Sequence, residues 1–411
     1  MAPVLDAYST GSVPESWLNK KFLENALQEA YKQPKLKIIE YDVKAAVGKG
    51  ENYCSDLYRV SVHSSDGKMS RLIVKEELKE GKFAKIVNDS TAFCREIQMY
   101  STTAVQLFNI LDKAVPGVYQ PFAARYVYSR PGTIVVDDLN AQGFKMAGRK
   151  NGLDLTHCLL VMRVLARLHA ASAVLHDLDP DSMSLFDQSF FAEPGVKEGI
   201  QRFFSGSIKS VVKAVESWTG YGEKYSRKLH TLADEFVDRL EECTKRDENA
   251  FNVLTHGDLW VNNILFRYSD PSGTVDSLRF VDFQFLQYTS PAIDLIYFFN
   301  TSLAPDVREN NIHQLMKEYH TTLCDTLKVL KYSRKVMTME ELKKECDNHA
   351  IYGVHAACCV LPIVICDNGL NIDDIITSGD ARATDVYNGE FYKKALQSML
   401  PEFERNGVFR K

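Results

Sequence analysis

The chain has 411 residues, 45% hydrophobic and 25% charged, enough for a large core and two or three domain-sized units. A formal net charge of −5 supplies no basic footprint, which argues against a nucleic-acid binder. Nine cysteines, an odd number without a C-x-x-C pair, describe a reduced, cytoplasmic protein, and Cys358-Cys359 cannot form a zinc site alone.

In chain order, the opening MAPVLDAYSTGSVPESWLNKKF shows no basic leader followed by an apolar stretch, so no secretory signal is read there. Pro14 suits a first helical turn, and Trp17, Leu18, Phe22 and Leu27 then recur at roughly helical spacing. From Tyr53 to Val74 the text is strand-like: LYRVSVHS, a turn at Ser65-Asp66-Gly67, then SRLIVKE. A helix follows, with Ser90 or Thr91 as candidate caps and Phe93, Ile97 and Tyr100 on one face. YVYSRPGTIVVDDL returns to strands around a Pro-Gly turn.

Beyond Leu139 the pattern changes. Leu160, Val161, Val164, Leu165 and Leu168 mark one buried helical stripe, and the stretch from about Phe203 to Cys243 is mostly helical. NNILFRYSDPSGTVDSLRFVDFQF reads as a hairpin turning at Asp270-Pro271-Ser272-Gly273, and the chain from Ala292 is helical again. Two apolar segments, HCLLVMRVLARLHAASAVLH with its two arginines and VHAACCVLPIVIC, fall short of ~20 uncharged apolar residues, so no membrane span is expected. The expected class is α+β: a strand-rich small lobe with an N-terminal helix (1–138) before a helix-rich large lobe (139–411).

Phosphoryl transfer from ATP needs positioning and charge neutralisation more than covalent chemistry. The kinase order of parts is a glycine loop, a strand lysine, a helix glutamate, an H-x-D-x-x-x-x-N loop and a D-F-x turn. Each has a candidate here, in that order. GKGENYCS, with Gly48, Gly50 and Asn52, lets backbone approach phosphate without a Cβ clash, although two glycines also describe an ordinary hairpin turn. Lys75 in RLIVKEE is the cation for the phosphates, or an edge lysine facing solvent. Glu96 in FCREIQMY borders the apolar face and pairs inward with Lys75, or is solvated.

THGDLWVNNILF is the most specific stretch. Asp258 is placed as the base for an acceptor hydroxyl, and Asn263 as a neutral oxygen ligand for Mg²⁺. The five-residue spacing selects Asn263 over Asn262, His256 orients the loop, and Trp260 either walls the acceptor pocket or packs in the core. Asp282 in VDFQF is the carboxylate for Mg²⁺, and with Asn263 it makes a sufficient protein set. Asp294 is read as a helix cap or a brace for the loop.

At GENYCS, LIVKEE, FCREIQMY, VVDDLNAQGF, LARLHAASA, THGDLWVNNILF and VDFQFLQYTSPAIDLIYFF the chain resembles the ecdysteroid kinase-like (CHK kinase-like) family of insects, related to choline kinases and aminoglycoside phosphotransferases. HGD and DFQ, with no A-P-E segment after Asp282, point to small-molecule kinases rather than protein kinases. The resemblance covers nearly the whole chain and implies a two-lobed protein-kinase-like fold, with ATP and Mg²⁺ used to phosphorylate a small alcohol, an ecdysteroid or a xenobiotic in detoxification. It also implies adenine held by backbone groups of Val136, Asp137 and Asp138, with Asp137 a mild departure from the family's usual Glu.

The acceptor pocket is less legible. Phe203, Phe204, Trp218, Tyr221 and the residues around His355–Leu361 fit either a hydrophobic pocket or the core. Alternatives are a choline- or ethanolamine-type kinase, for which an aromatic cage is not visible in sequence, and a catalytically silent kinase-fold ligand binder. No protein partner is evident.

Overall fold

The computed structural model describes residues 17–46, 55–193, 195–269, 273–366, 372–378 and 385–410. Pro14, the segment with Gly48, Gly50 and Asn52, and turn residues 270–272 lie outside them. The first helix, α1 (Lys20–Tyr31), starts where the Asn19 side chain accepts from the N–H groups of Lys21 and Phe22 at 3.1 and 3.2 Å. Trp17 and Leu18 therefore precede the helix, contrary to the expected start at Pro14.

Five antiparallel strands form the small lobe: β1 (Ile38–Ala45), β2 (Ser55–Ser64), β3 (Met69–Glu77), β4 (Tyr126–Arg130) and β5 (Thr133–Asp137), in spatial order β1-β2-β3-β5-β4. Side chains alternate across a strand, so each strand serves two faces. Tyr58, Val60, Val62, Leu72, Val74 and Val135 bury one face against Phe22, Leu23 and Leu27 of α1. Ile73, Lys75, Ile134 and Val136 lie on the other, which lines a cleft. Because β3 sits between β2 and β5, Lys75 is on a central strand and only 8% exposed, so the solvent-facing edge lysine is excluded.

Between β3 and β4 lies a helix that periodicity did not reveal, α2 (Lys82–Asn88), followed by α3 (Ala92–Gln98), which carries Glu96. A π-helical turn, Met99–Thr103, continues α3 into the helix Ala104–Ala114. Neither expected cap closes α3 alone. Ser90 Oγ accepts from Ala92 N–H at 3.1 Å, but the Thr91 N–H and hydroxyl both donate, at 2.7 Å, to the carboxylate of Glu193, remote in sequence. A carboxylate suits the positive end of the helix dipole.

The larger part is mainly helical and built around the helix Leu155–Leu178. Its deepest residues include Cys158, Val161, Met162, Leu165, Ala166 and Leu168, whereas Leu160 and Val164 are half-buried. The buried stripe is wider than expected and turned from Leu160 because other elements, including Ala104–Ala114, Pro305–Val329 and Val253–Thr255, cover the helix on several sides. Among the described residues this is the one unbroken helix long and apolar enough to cross a membrane, and most of its apolar window is buried in the core. Two small antiparallel units frame the polar loop: Val253–Thr255 with Gln287–Thr289, and Ile264–Tyr268 with Val275–Phe280.

Candidate active site

Loop 256–263 runs between the strands Val253–Thr255 and Ile264–Tyr268, and its backbone is pinned from below. The Asp294 carboxylate, fully buried, accepts from the N–H groups of His256 and Gly257 at 2.7 and 2.9 Å and lies 3.1 Å from His169 Nε2. Asp294 is thus the loop's brace. His256 contributes through Nε2, 3.0 Å from the carbonyl of Val281, the residue before Asp282. Gly257 has φ +76°, and a Cβ there would lie 2.0 Å from the Phe285 carbonyl oxygen, so only glycine fits.

This bracing fixes Asp258. Tyr297 donates its hydroxyl to Asp258 Oδ1, and Asn263 Nδ2 donates to Asp258 Oδ2 and to its backbone carbonyl, both at 2.9 Å. The five-residue spacing thus places Asn263, rather than Asn262, against Asp258. With its amide nitrogen so engaged, the Asn263 amide oxygen has no protein donor among the described residues. Val281 N–H donates to the Asn263 carbonyl at 3.0 Å, which seats Asp282 beside this turn. Asp282 has φ +65°, the left-handed region, which aspartate tolerates better than most residues.

Lys75 joins the two halves of the cleft. Its Nζ donates to Glu96 Oε2 at 2.6 Å and to Asp282 Oδ1 at 2.7 Å. Burial alone would push the Lys75 ammonium pKa down, but the charges of Asp282 and Glu96 outweigh it and hold the pKa above its usual value. Burial pushes the Glu96 carboxyl up to about 7; Lys75 opposes this and Asp282 adds to it. Burial, then the Asp282 charge, likewise raises Asp258 to about 7 against the hydrogen bonds of Tyr297, Asn263 and Trp260. A carboxylate poised there can hold or take a proton near neutrality.

The segment after β5 lines the same cleft. Val136 pairs with Ile73 in the ladder, while Asp137 and Asp138 spend their N–H groups on the carbonyls of Arg125 and Arg71, at 3.0 and 2.9 Å. The Asp137 carboxylate is forked onto the Arg125 guanidinium at 2.9 and 2.8 Å, and Asp138 pairs with Arg59 Nε at 2.8 Å. The N–H of Leu139 has no protein acceptor among the described residues. Leu139, which lines the cleft, and Tyr297, bonded to Asp258, are not singled out by the sequence. Tyr297 lies inside the quoted SPAIDLIYFF but shares no local pattern with Asp258, and nothing local separates the Leu139 N–H from its neighbours.

The cleft holds about 600 Å³ and continues past Asp258 and Trp260 into a region walled by Phe83, Phe190, Phe191, Phe203, Phe204 and Tyr352. His355 and Val360 line it too, but Trp218 is buried elsewhere, and the Tyr221 hydroxyl donates to the Gln397 carbonyl at 3.3 Å. Among the described residues no three His, Cys, Asp or Glu side chains converge as a metal cluster. One carboxylate and one amide oxygen, from Asp282 and Asn263, are instead the sparse hard-oxygen set that suits Mg²⁺ when phosphate supplies the other ligands.

Comparison with solved structures finds similarity to choline kinase from Cryptosporidium parvum, at 15% identity over 95% of this chain and 98% of that one, with a TM-score of 0.49. A spectinomycin phosphotransferase, crystallised with ADP and spectinomycin, is 13% identical over 91% of this chain and 99% of that one, with a TM-score of 0.44. No curated protein matches the sequence. The model of the ecdysteroid kinase-like family matches residues 49–332, more than half of the chain, and the protein belongs to that family.

Proposed function

We propose that the protein transfers the γ-phosphoryl group of ATP to a hydroxyl of a small lipophilic molecule, an ecdysteroid or a xenobiotic alcohol. The observation that carries this reading is one ammonium, Lys75, bonded to both Glu96 and Asp282 in the cleft that also holds the braced Asp258. Family membership supports the same reading.

The chain's groups fit the co-substrate. The Leu139 N–H and neighbouring backbone carbonyls can hold adenine, and Lys75, kept in place by Glu96, meets phosphate oxygens. Asn263 and Asp282 would hold Mg²⁺, which neutralises phosphate charge when bound. Asp258 orients the acceptor hydroxyl and takes its proton as that oxygen bonds to the γ-phosphorus, while the bond to the bridging oxygen breaks and ADP leaves. Tyr297 and Asn263 keep the Asp258 carboxylate aimed, and the aromatic walls exclude water that would otherwise compete as acceptor.

The test is a screen with γ-labelled ATP and Mg²⁺ against ecdysteroids, other sterols, plant glycosides and choline, beside a thermal-shift series with Mg²⁺-ATP alone. Label transfer to a lipophilic alcohol is the expected result. Stabilisation by nucleotide without transfer to any alcohol would point to a silent ligand binder. The ring cluster around His355 also suits a quaternary ammonium, so preferential transfer to choline would move the assignment to a choline-type kinase.

A further inference from the structure

Among the described residues, two of the three buried histidines, His169 and His256, have a hydrogen-bonded ring nitrogen, although His256 Nδ1 is left without a partner. His169 lies 2.7 Å from the Tyr319 hydroxyl and 3.1 Å from Asp294, and His256 bonds the Val281 carbonyl. His355 is only 7% exposed, lines the cleft, and its buried Nδ1 has no hydrogen-bond partner among the described residues. The rings of Phe204, Tyr352, Phe191 and Tyr297 surround it at 4.9, 5.3, 5.8 and 5.9 Å between centroids. An imidazole serving only to fill this space would carry the cost of an unanswered polar atom that a leucine or phenylalanine avoids.

Two further features point to a ligand. His355 ends the helix Ala350–His355, where the backbone opens into a π-helical turn, Ala356–Val360, an irregularity found often at functional sites. Its neighbour Tyr297 packs against it and also donates to Asp258, so one tyrosine separates the imidazole from the proposed phosphorylation point.

We propose that His355 is the specificity-determining group of the acceptor pocket, hydrogen-bonding a second hydroxyl or a carbonyl on an otherwise apolar alcohol whose reacting hydroxyl lies at Asp258. The proposal rests on the phosphotransferase reading, which makes this the acceptor end of the cleft. The surrounding rings match an apolar body, and they offer the second polar group little else to bond. Burial pushes the imidazole pKa down to about 3, so the ring is neutral near pH 7 and presents one donor and one acceptor nitrogen, suited to an uncharged hydroxyl or carbonyl.

The test uses a steroid triol and the matching mono-ol, binding to the full-length protein with Mg²⁺ and a non-hydrolysable ATP analogue. Wild type should favour the triol. His355→Leu should weaken triol binding by about tenfold and leave the mono-ol unchanged or tighter, while His355→Gln, which keeps hydrogen-bonding atoms, should recover part of the loss. Equal losses for both steroids, or none, would overturn the proposal. If His355→Leu does not fold, ¹⁵N shifts of the wild-type imidazole decide: they should move with the triol and not with the mono-ol, and identical responses overturn it. If neither steroid binds a protein that Mg²⁺-ATP still stabilises, His355's assigned ligand is wrong and the kinase reading stands. If Mg²⁺-ATP gives no stabilisation, the kinase reading falls, and the acceptor assignment with it.

Discussion

Asp258 is held in surroundings that oppose its charge, and the consequence can be measured. Its folded pKa of about 7 exceeds the unfolded value of about 3.9, so the folded protein keeps a proton that the unfolded chain has lost. The stability this contributes is complete below about pH 4 and is lost as pH rises through about 7. Asp258→Asn removes the titration, so the variant should gain stability relative to wild type between about pH 5 and pH 8, read from urea midpoints. A constant difference across that range would refute the raised pKa. In catalysis the same variant should lose ~10²–10⁴-fold in turnover while keeping Mg²⁺-ATP affinity. Asp282→Asn should instead weaken Mg²⁺-ATP binding, because it removes the full charge assigned to the ion; near-wild-type kcat in Asp258→Asn would end the base assignment. Gly257→Ala forces a Cβ to within 2.0 Å of a backbone oxygen and should destabilise the protein by more than ~1 kcal/mol in the same denaturation assay. At this scale the sequence was legible where partners share one turn, as Asp258 and Asn263 do. It was silent where they do not: Tyr297 lies 39 residues from Asp258, and His169 lies 125 from Asp294.

The helix α3 shows how an element is positioned by chemistry outside itself. Arg95, 1% exposed, precedes Glu96 and turns the other way: Nη2 donates to Glu193 at 2.7 Å and to the Gln188 carbonyl at 2.8 Å, and Nη1 donates to the Leu286 carbonyl at 3.0 Å. Glu193 also caps the helix, so one carboxylate fixes both its start and its rotation. The segment it belongs to carries Phe190 and Phe191 of the cleft wall, which ties the Lys75–Glu96 pair to the acceptor side. Removing one partner from a buried ion pair costs about 3–5 kcal/mol. Glu193→Ala should therefore destabilise the protein by about that much and weaken nucleotide binding, although Glu193 is not among the proposed nucleotide contacts. Arg95→Met with Glu193→Leu should be less damaging than the two single changes added together, and simple additivity in that cycle would show that the pair does not act as a unit. Periodicity exposed the apolar face of α3, because that signal is local. Thr91 holds the cap position and Ser90 accepts from Ala92 N–H, as the local pattern suggests, but the carboxylate that completes the cap comes from across the molecule, where no local signal reaches.

At the scale of the whole molecule, alternation in β2, β3 and β5 announced the small lobe, and helical periodicity announced the large one. What periodicity could not show is how the two engage. The N–H groups of Lys82 and Phe83 at the start of α2 donate to the Asp373 carboxylate at 3.0 and 2.9 Å, contacts spanning 291 and 290 residues. Lys75 meets Asp282 across 207 residues. That second contact makes Lys75 a structural tie as well as a phosphate-binding candidate, and the two roles separate by pH. Glu96 already titrates at about 7 in the folded protein, raised by burial with Lys75 opposing, so its contribution to stability is lost as pH rises through about 7. Lys75→Met deletes the opposing cation and leaves two carboxylates facing each other, which moves the Glu96 titration higher still. The variant should consequently lose more stability than wild type between about pH 5 and pH 8, seen as a falling relative Tm. Adding Asp282→Asn to Lys75→Met removes one of the repelling charges and should return part of that loss at the higher pH and little at the lower. If Lys75→Met destabilises equally at both pH values, or the second change restores nothing at the higher one, the ammonium is not what holds these carboxylates together.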